Sequence, residues 1–388
     1  MGGRQRPLAD GDRVMARRAA VAEVEALPEI DRLEGFPHPR ETRELFGHDA
    51  AEQELASSFA AGRMHHAWML TGPNGIGKAT LAYRCARFAL ASPKLREAAG
   101  NTLAIPPDSV VAGQIRALSH PGLAIIRRSY DQKTKRFPAT IPVDEVRELR
   151  TFLGRTADEG AWRVVIVDSA DELNLNAANA LLKVLEEPPT RVLFLLVVAQ
   201  PQRLLRTIRS RCRSLDLAPL GTQDLRRAAT QALAAAETKP PAETDWTTLE
   251  TLAEGSVRRL LDLAAGDGLS LYRRIEDLLR GLPTIDWQAA HALGDELGSA
   301  AADPRLALFF DLLLALIARL VRAQASGQGT ADDIALARRL IPPGRLASWA
   351  ELWETIVRDK AETLALNLDR RMLILDTLTR VARAAEAP

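Results

Sequence analysis

Seven residues, Gly72-Pro73-Asn74-Gly75-Ile76-Gly77-Lys78, constrain this chain more than any other stretch. They have the G-x-x-x-x-G-K spacing of a phosphate loop. Its glycines let successive backbone N–H groups turn inward around phosphate oxygens, the following helix N-terminus adds its dipole, and the lysine reaches the outer phosphates. Such a loop has to join a strand to a helix. Ala67 to Leu70 is a short apolar run ending at the loop, and Leu81 to Leu90 has helical spacing, so the context is met. The next position of the motif is normally Ser or Thr, whose hydroxyl binds Mg²⁺. Here it is Ala79, with Thr80 one place late. One residue turns a helical side chain by about 100°, so Thr80 does not substitute directly. The loop therefore predicts a site for ATP or ADP and leaves magnesium open.

The surroundings extend this into a fold. Leu123–Arg127, Arg163–Val167 and Val192–Val198 are further short apolar runs, mostly rich in β-branched residues, with helical segments between them. Strand and helix in alternation predict a parallel sheet with helices on both faces. After Pro219 every segment has helical spacing, and the breakers Pro240-Pro241, Gly266 to Gly268, Gly281 to Pro283 and Pro342 to Gly344 fall between segments. The expected organisation is an N-terminal extension (1–35), mobile and with a short helix over Met15–Leu27, then a nucleotide-binding α/β core (36–218). A small helical lid (219–267) and an all-α domain (269–388) follow.

Length and composition fit several domains: 388 residues, 47% of them hydrophobic and 26% charged, belong to a folded protein with large cores. With 51 Lys and Arg against 50 Asp and Glu there is no global field for nucleic acid, so any such contact has to come from local clusters. Two cysteines, Cys85 and Cys212, complete neither a disulfide framework nor a four-thiolate zinc site. The N-terminus lacks the apolar core of an export signal, and the longest apolar stretch, Leu306–Ala318, is too short and too charged to span a bilayer. The cytoplasm is the expected location.

Four stretches carry further chemistry. Arg163-Val164-Val165-Ile166-Val167-Asp168 reads as a strand ending in the acid that organises Mg²⁺ in phosphate-loop enzymes. Asp168 is followed by Ser169, a poor general base, where active ATPases of this kind carry Glu. Asp171 and Glu172 are out of register for that role and read as acids at a helix N-terminus. Arg203, Arg206, Arg209, Arg211 and Arg213 crowd one short segment, open to three readings: a solvated face, a phosphate-contacting patch, or an arginine finger offered from Ser210-Arg211-Cys212 to a neighbour's nucleotide. Arg127, Arg128, Lys133, Lys135 and Arg136 read as an exposed basic loop, and His65-His66 as packing or turn residues without metal-ligand company.

The order of these motifs, HHAWMLTGPNGIGKATLAYRCARFAL, then VVIVDSADELNLNAANALLKVLEEPP, then RLLRTIRSRC, resembles the delta-prime subunits of bacterial DNA polymerase III clamp loaders, which are AAA+ proteins. The resemblance is dense over residues 40 to 218. It implies a three-domain arm in a five-membered ring with motor subunits of the gamma/tau type and a delta subunit, acting on a sliding clamp and primed DNA, with the C-terminal domain as a collar. It also implies that Arg211 completes the neighbouring motor's ATP site in trans. Gly255-Ser256-Val257-Arg258 matches the lid's sensor motif, adding Arg258 to the nucleotide set of Gly72 to Thr80 and Asp168. Val197-Val198-Ala199-Gln200-Pro201 lacks the hydroxyl of the other sensor, and residues 94–125 lack the four cysteines that hold zinc in many relatives, so no zinc is expected. Three losses from the hydrolytic set predict little or no ATP hydrolysis by this chain. The alternative is a self-sufficient AAA+ ATPase, a remodeller or helicase loader, with Thr80 and Glu172 in the vacant roles.

Overall fold

The computed structural model describes residues 27–154, 161–299 and 302–386. The helix expected over Met15–Leu27 lies outside them but for its last residue. From Asp49 the chain alternates as the sequence predicts: α1 (Asp49–Ala60), β1 (Ala67–Thr71), α2 (Lys78–Leu90), α3 (Pro93–Ala99), α4 (Val110–Arg116), β2 (Leu123–Ile126), α5 (Val143–Gly154), β3 (Arg163–Val167), α6 (Leu175–Glu186), β4 (Val192–Val198), α7 (Arg206–Arg209) and β5 (Arg213–Asp216). The strands form one sheet in the order β2-β3-β4-β1-β5, and every pair is parallel. This is the doubly covered α/β architecture the phosphate loop demanded.

The reason lies in alternation within runs that are apolar throughout. Trp68 and Leu70 of β1, Val164 and Ile166 of β3, and Leu193 and Leu195 of β4 pack under α1, α2 and α4. Ala67, Met69, Val165, Val167, Phe194 and Leu196 face the other way, under α5 and α6. A strand buried on both faces needs no polar alternation, so these read as solid apolar runs. The fifth strand was not among the four expected. Arg213-Ser214-Leu215-Asp216 buries only Leu215 and pairs only with β1, so an edge strand hides in the arginine cluster. The Arg213 guanidinium lies 4.8 Å over the Trp68 ring and pairs with Glu54, covering the edge with charge.

The remainder is helical: α8 (Thr222–Ala235), α9 (Glu243–Ala253) and α10 (Val257–Ala265), then α11 (Gly268–Gly281), α12 (Trp287–Leu297), α13 (Asp303–Ser326), α14 (Ala331–Leu340), α15 (Leu346–Ala365) and α16 (Arg370–Glu386). The apolar stretch Leu306–Ala318 is the middle of α13, where Phe309, Phe310, Leu313, Leu316 and Ile317 are buried. Both helical groups share one continuous buried cluster, which also takes in Phe36. The tight turn at Gly268 serves that continuity: its α-carbon lies so close to Leu263 that a side chain would meet that residue's backbone at 2.9 Å.

Candidate functional site

The phosphate loop is formed. Gly72, Gly75 and Gly77 have φ of 137°, 77° and 110°, a conformation closed to most side chains, and this is what turns the loop around a concavity. His48, buried, reaches from the start of α1 to hold the Ile76 carbonyl at 2.7 Å. Lys78 is 4% exposed, and its Nζ donates to the Gly72 carbonyl at 2.6 Å and the Pro73 carbonyl at 2.5 Å. An ammonium has three protons, so one remains to meet a phosphate. Burial depresses the Lys78 pKa to about 8, opposed by the nearby carboxylates of Asp168 and Asp171. Ala79 follows at the head of α2 and has no oxygen for a cation.

Asp168 ends β3 beside this loop, buried at 7% exposure, its backbone N–H donating to the Ile126 carbonyl at 2.9 Å. Burial first, then the neighbouring Asp31 carboxylate, raise its pKa to about 7. Ser169 is in the left-handed region at φ 57° and starts a short 3₁₀ turn, Ala170–Glu172. Asp171 and Glu172, expected as helix N-terminal acids, do stand in that turn, and each has a specific partner. Asp171 accepts from the Gln200 backbone N–H at 2.9 Å, and Glu172 pairs with Arg128 at 2.7 Å. Neither is poised over the loop as a free base.

The lid meets the loop through its sensor motif. Gly255, at φ 80°, passes so close to Pro219 and Leu220 that any side chain would collide, which gives the glycine of G-S-x-R a packing reason. Ser256 caps α10 by accepting from the Arg259 N–H at 3.2 Å. The Arg258 backbone N–H donates to the Gly75 carbonyl at 3.3 Å, and its guanidinium donates to the Asp31 carbonyl, also at 3.3 Å. Asp168 and Arg258 thus both lie against the loop, the first near Lys78 and the second bonded to Gly75.

A part of the site absent from the sequence reading is the segment just before the core. Glu29 and Asp31, inside the stretch set aside as an extension, are tied to the end of β2. The Asp31 carboxylate meets Arg127 at 2.6 Å and His38 Nε2 at 2.7 Å, and it stands beside the Asp168 carboxyl. Glu29 meets Arg127 at 2.6 Å and Arg40 at 2.7 Å. Hydrogen bonds from those two arginines outweigh the opposing effect of burial and hold the Glu29 carboxyl down at about 2. His38 is fully buried and stands edge-on to Tyr83 with ring centres 5.6 Å apart. The expected exposed basic loop is accordingly only half so: Arg127 and Arg128 point into ion pairs, while Lys133, Lys135 and Arg136 are exposed. No sequence signal marked this, because Asp31 and Arg127 are separated by 96 residues and neither sits in a recognisable motif.

Arg211 lies elsewhere, on the turn between α7 and β5. Its guanidinium is held by the Thr207 carbonyl at 3.0 Å and by Glu186, from the end of α6, at 2.8 Å, with its side chain still 37% exposed. Ser210 also bonds the Thr207 carbonyl, and Cys212 packs into the cluster under α5 and α6. The S-R-C triplet therefore anchors both flanks of an arginine and leaves the arginine at the surface. His65 and His66 stack on each other at 4.4 Å, and among the described residues no His, Cys, Asp or Glu cluster is arranged for a metal.

Parallel-sheet core, phosphate loop, acid at the end of β3 and a helical lid bearing Arg258 make a phosphate-loop α/β module followed by a helical C-terminal region. Residues 47–221 match the family described as "DNA polymerase III, delta subunit". The chain is 39% identical to the DNA polymerase III subunit delta' of Pseudomonas aeruginosa over 42% of its own length and 46% of the relative's. It is 29% identical to that of Escherichia coli over 85% of its own length and 92% of the relative's. The E. coli subunit tau matches at 27% over 88% of this chain and 54% of the relative. A solved gamma subunit-related protein from Thermotoga maritima covers 86% of this chain and is itself covered completely, at 18% identity and a TM-score of 0.39. Over these stretches the chain is similar to DNA polymerase III subunits of the delta and delta' kind.

Proposed function

We propose that this subunit acts in trans: it presents Arg211 to the ATP site of an adjacent motor subunit of the gamma/tau type in a five-membered ring that also holds a delta subunit. With this finger in place, the ring opens a sliding clamp and loads it on primed DNA. The observation that carries the reading is the mounting of Arg211. Its turn is fixed by Cys212 and Thr207, its planar charge faces solvent, and an exposed ion pair such as that with Glu186 costs only ~0–1 kcal/mol to open. A guanidinium so placed can stabilise charge on a transferring γ-phosphate.

Own hydrolysis has little support in the residues. Ala79 supplies no hydroxyl for a cation, Ser169 no carboxylate for water, and Ala199 and Gln200 offer the sensor position only backbone N–H groups, already given to Asp171. What remains is the cradle and Lys78, suited to holding the phosphates of ATP or ADP rather than splitting them. The test is ATP turnover by the reconstituted ring with clamp and primed DNA. Arg211→Ala should cut it by about tenfold or more, equal to roughly 1.4 kcal/mol of transition-state stabilisation, while the isolated chain stays silent. Unchanged turnover would return the arginine to a surface role.

A further inference from the structure

The nucleotide site has two ends in different conditions. At the inner end the loop is open-handed: its glycines shape a concavity, and buried Lys78 keeps one proton unspent. At the outer end, where an ion and a terminal phosphate would lie, both groups that should receive them are already engaged by one residue. The Asp31 carboxylate stands beside Asp168, and the Asp31 carbonyl accepts from the Arg258 guanidinium at 3.3 Å. It is held there by Arg127 at 2.6 Å and by fully buried His38 at 2.7 Å, with Glu29 bracing Arg127 from the other side. A residue fixed by three partners, Arg127 at the end of β2, Arg258 of the lid and His38 of its own segment, is not a loose end that a ligand brushes aside.

We propose that Asp31 fills the ion and terminal-phosphate end of the site, so that the loop accepts a nucleoside diphosphate without metal and rejects the magnesium complex of a triphosphate. Three physical features give the selectivity. A third phosphate brings negative charge against the Asp31 carboxylate in a poorly hydrated place, where like charges repel most. Asp168 is buried at 7% exposure beside Asp31, so little of its carboxylate is open to an ion. The missing hydroxyl at Ala79 removes the cation's other expected ligand. A diphosphate needs only the loop and Lys78.

The inference rests on reading the loop as a nucleotide site, and one experiment separates the two. Equilibrium dialysis of the purified full-length chain with labelled ADP and ATP, each in magnesium or in EDTA, is compared for wild type, Asp31→Ala, Asp31→Asn and Lys78→Ala. Wild type should bind ADP at least about tenfold more tightly than ATP, with ADP affinity moving less than about twofold on adding magnesium. Asp31→Ala should close the gap by gaining magnesium-ATP about tenfold, with ADP little changed, and Lys78→Ala should lose both nucleotides. Asp31→Asn removes the charge while keeping the shape and one accepting oxygen, so it is a milder control for misfolding and should also close the gap. Equal or tighter binding of magnesium-ATP by wild type, or a gap that survives both Asp31 variants, overturns the role of Asp31 and leaves the site itself standing. Binding of neither nucleotide by any variant overturns both.

Discussion

Single residues decide how this site is held. Glu29 is a clear case, because its carboxyl is pulled from 4.5 to about 2 by the hydrogen bonds of Arg40 and Arg127 against the opposing effect of burial. A carboxyl whose pKa is lower in the folded state stabilises the fold above its unfolded value and loses that contribution as pH falls through the folded one. The stabilisation from Glu29 is therefore complete above about pH 4.5 and lost on the way down to about pH 2. Stability of wild type and Glu29→Gln, measured by urea unfolding at several pH values, should differ at pH 6 and converge toward pH 2. A difference that persists at the acid end would assign the effect to packing instead. Glycines act at the same scale. Gly75 is in the left-handed region at φ 77°, and a side chain there would press on Ser256 and Arg258 of the lid, so Gly75→Ala should loosen the contact between loop and lid before it unfolds anything.

At the level of elements, the lid helix α10 owes its start to one hydroxyl. Ser256→Ala leaves the Arg259 N–H without its cap and should cost about 1 kcal/mol, seen as a lower denaturation midpoint with an unchanged slope. Helices and buried strands were legible in the sequence because their physical cause is local: β1, β3 and β4 are solid apolar runs, and α6 and α13 place their buried residues at helical spacing. What failed to show has non-local causes. β5 is a strand because β1 has a free edge beside it, and nothing within Arg213 to Asp216 announces that. The segment holding Glu29 and Asp31 is ordered by arginines on distant elements, so by itself it reads as a charged lead-in. The phosphate loop and Asp168 were readable as motifs because phosphate chemistry dictates spacing, and Arg258 through the resemblance of Gly255-Ser256-Val257-Arg258 to a lid motif. The partner that occupies two of them was not, since a lone aspartate carries no spacing at all.

Across the whole molecule, the distribution of apolar surface separates what holds the chain from what is left to meet others. Phe310 and Trp349 are wholly buried, and truncating either to Ala should cost about 3–5 kcal/mol and unfold the helical region first. On α15 and α16 a different set is uncovered: Trp353, Val357 and Leu364, spaced by four and seven on one helix, with Leu366, Leu368 and Met372 exposed at 61%, 50% and 59%. An exposed apolar stripe running from one helix through a turn into the next suits contact with a partner, and it is where the collar contact of the proposed ring would fall. Leu368→Asp and Met372→Asp should therefore leave the melting temperature of the purified chain within a degree or two of wild type, since surface changes of this kind move stability by no more than about 0.5 kcal/mol. The same variants should weaken co-elution with the motor and delta subunits in gel filtration, because a charge placed in a desolvated contact has no partner there. If assembly is unaffected, the stripe is not the joint, and the contact of the proposed ring must rest on the phosphate-loop modules, where Arg211 stands.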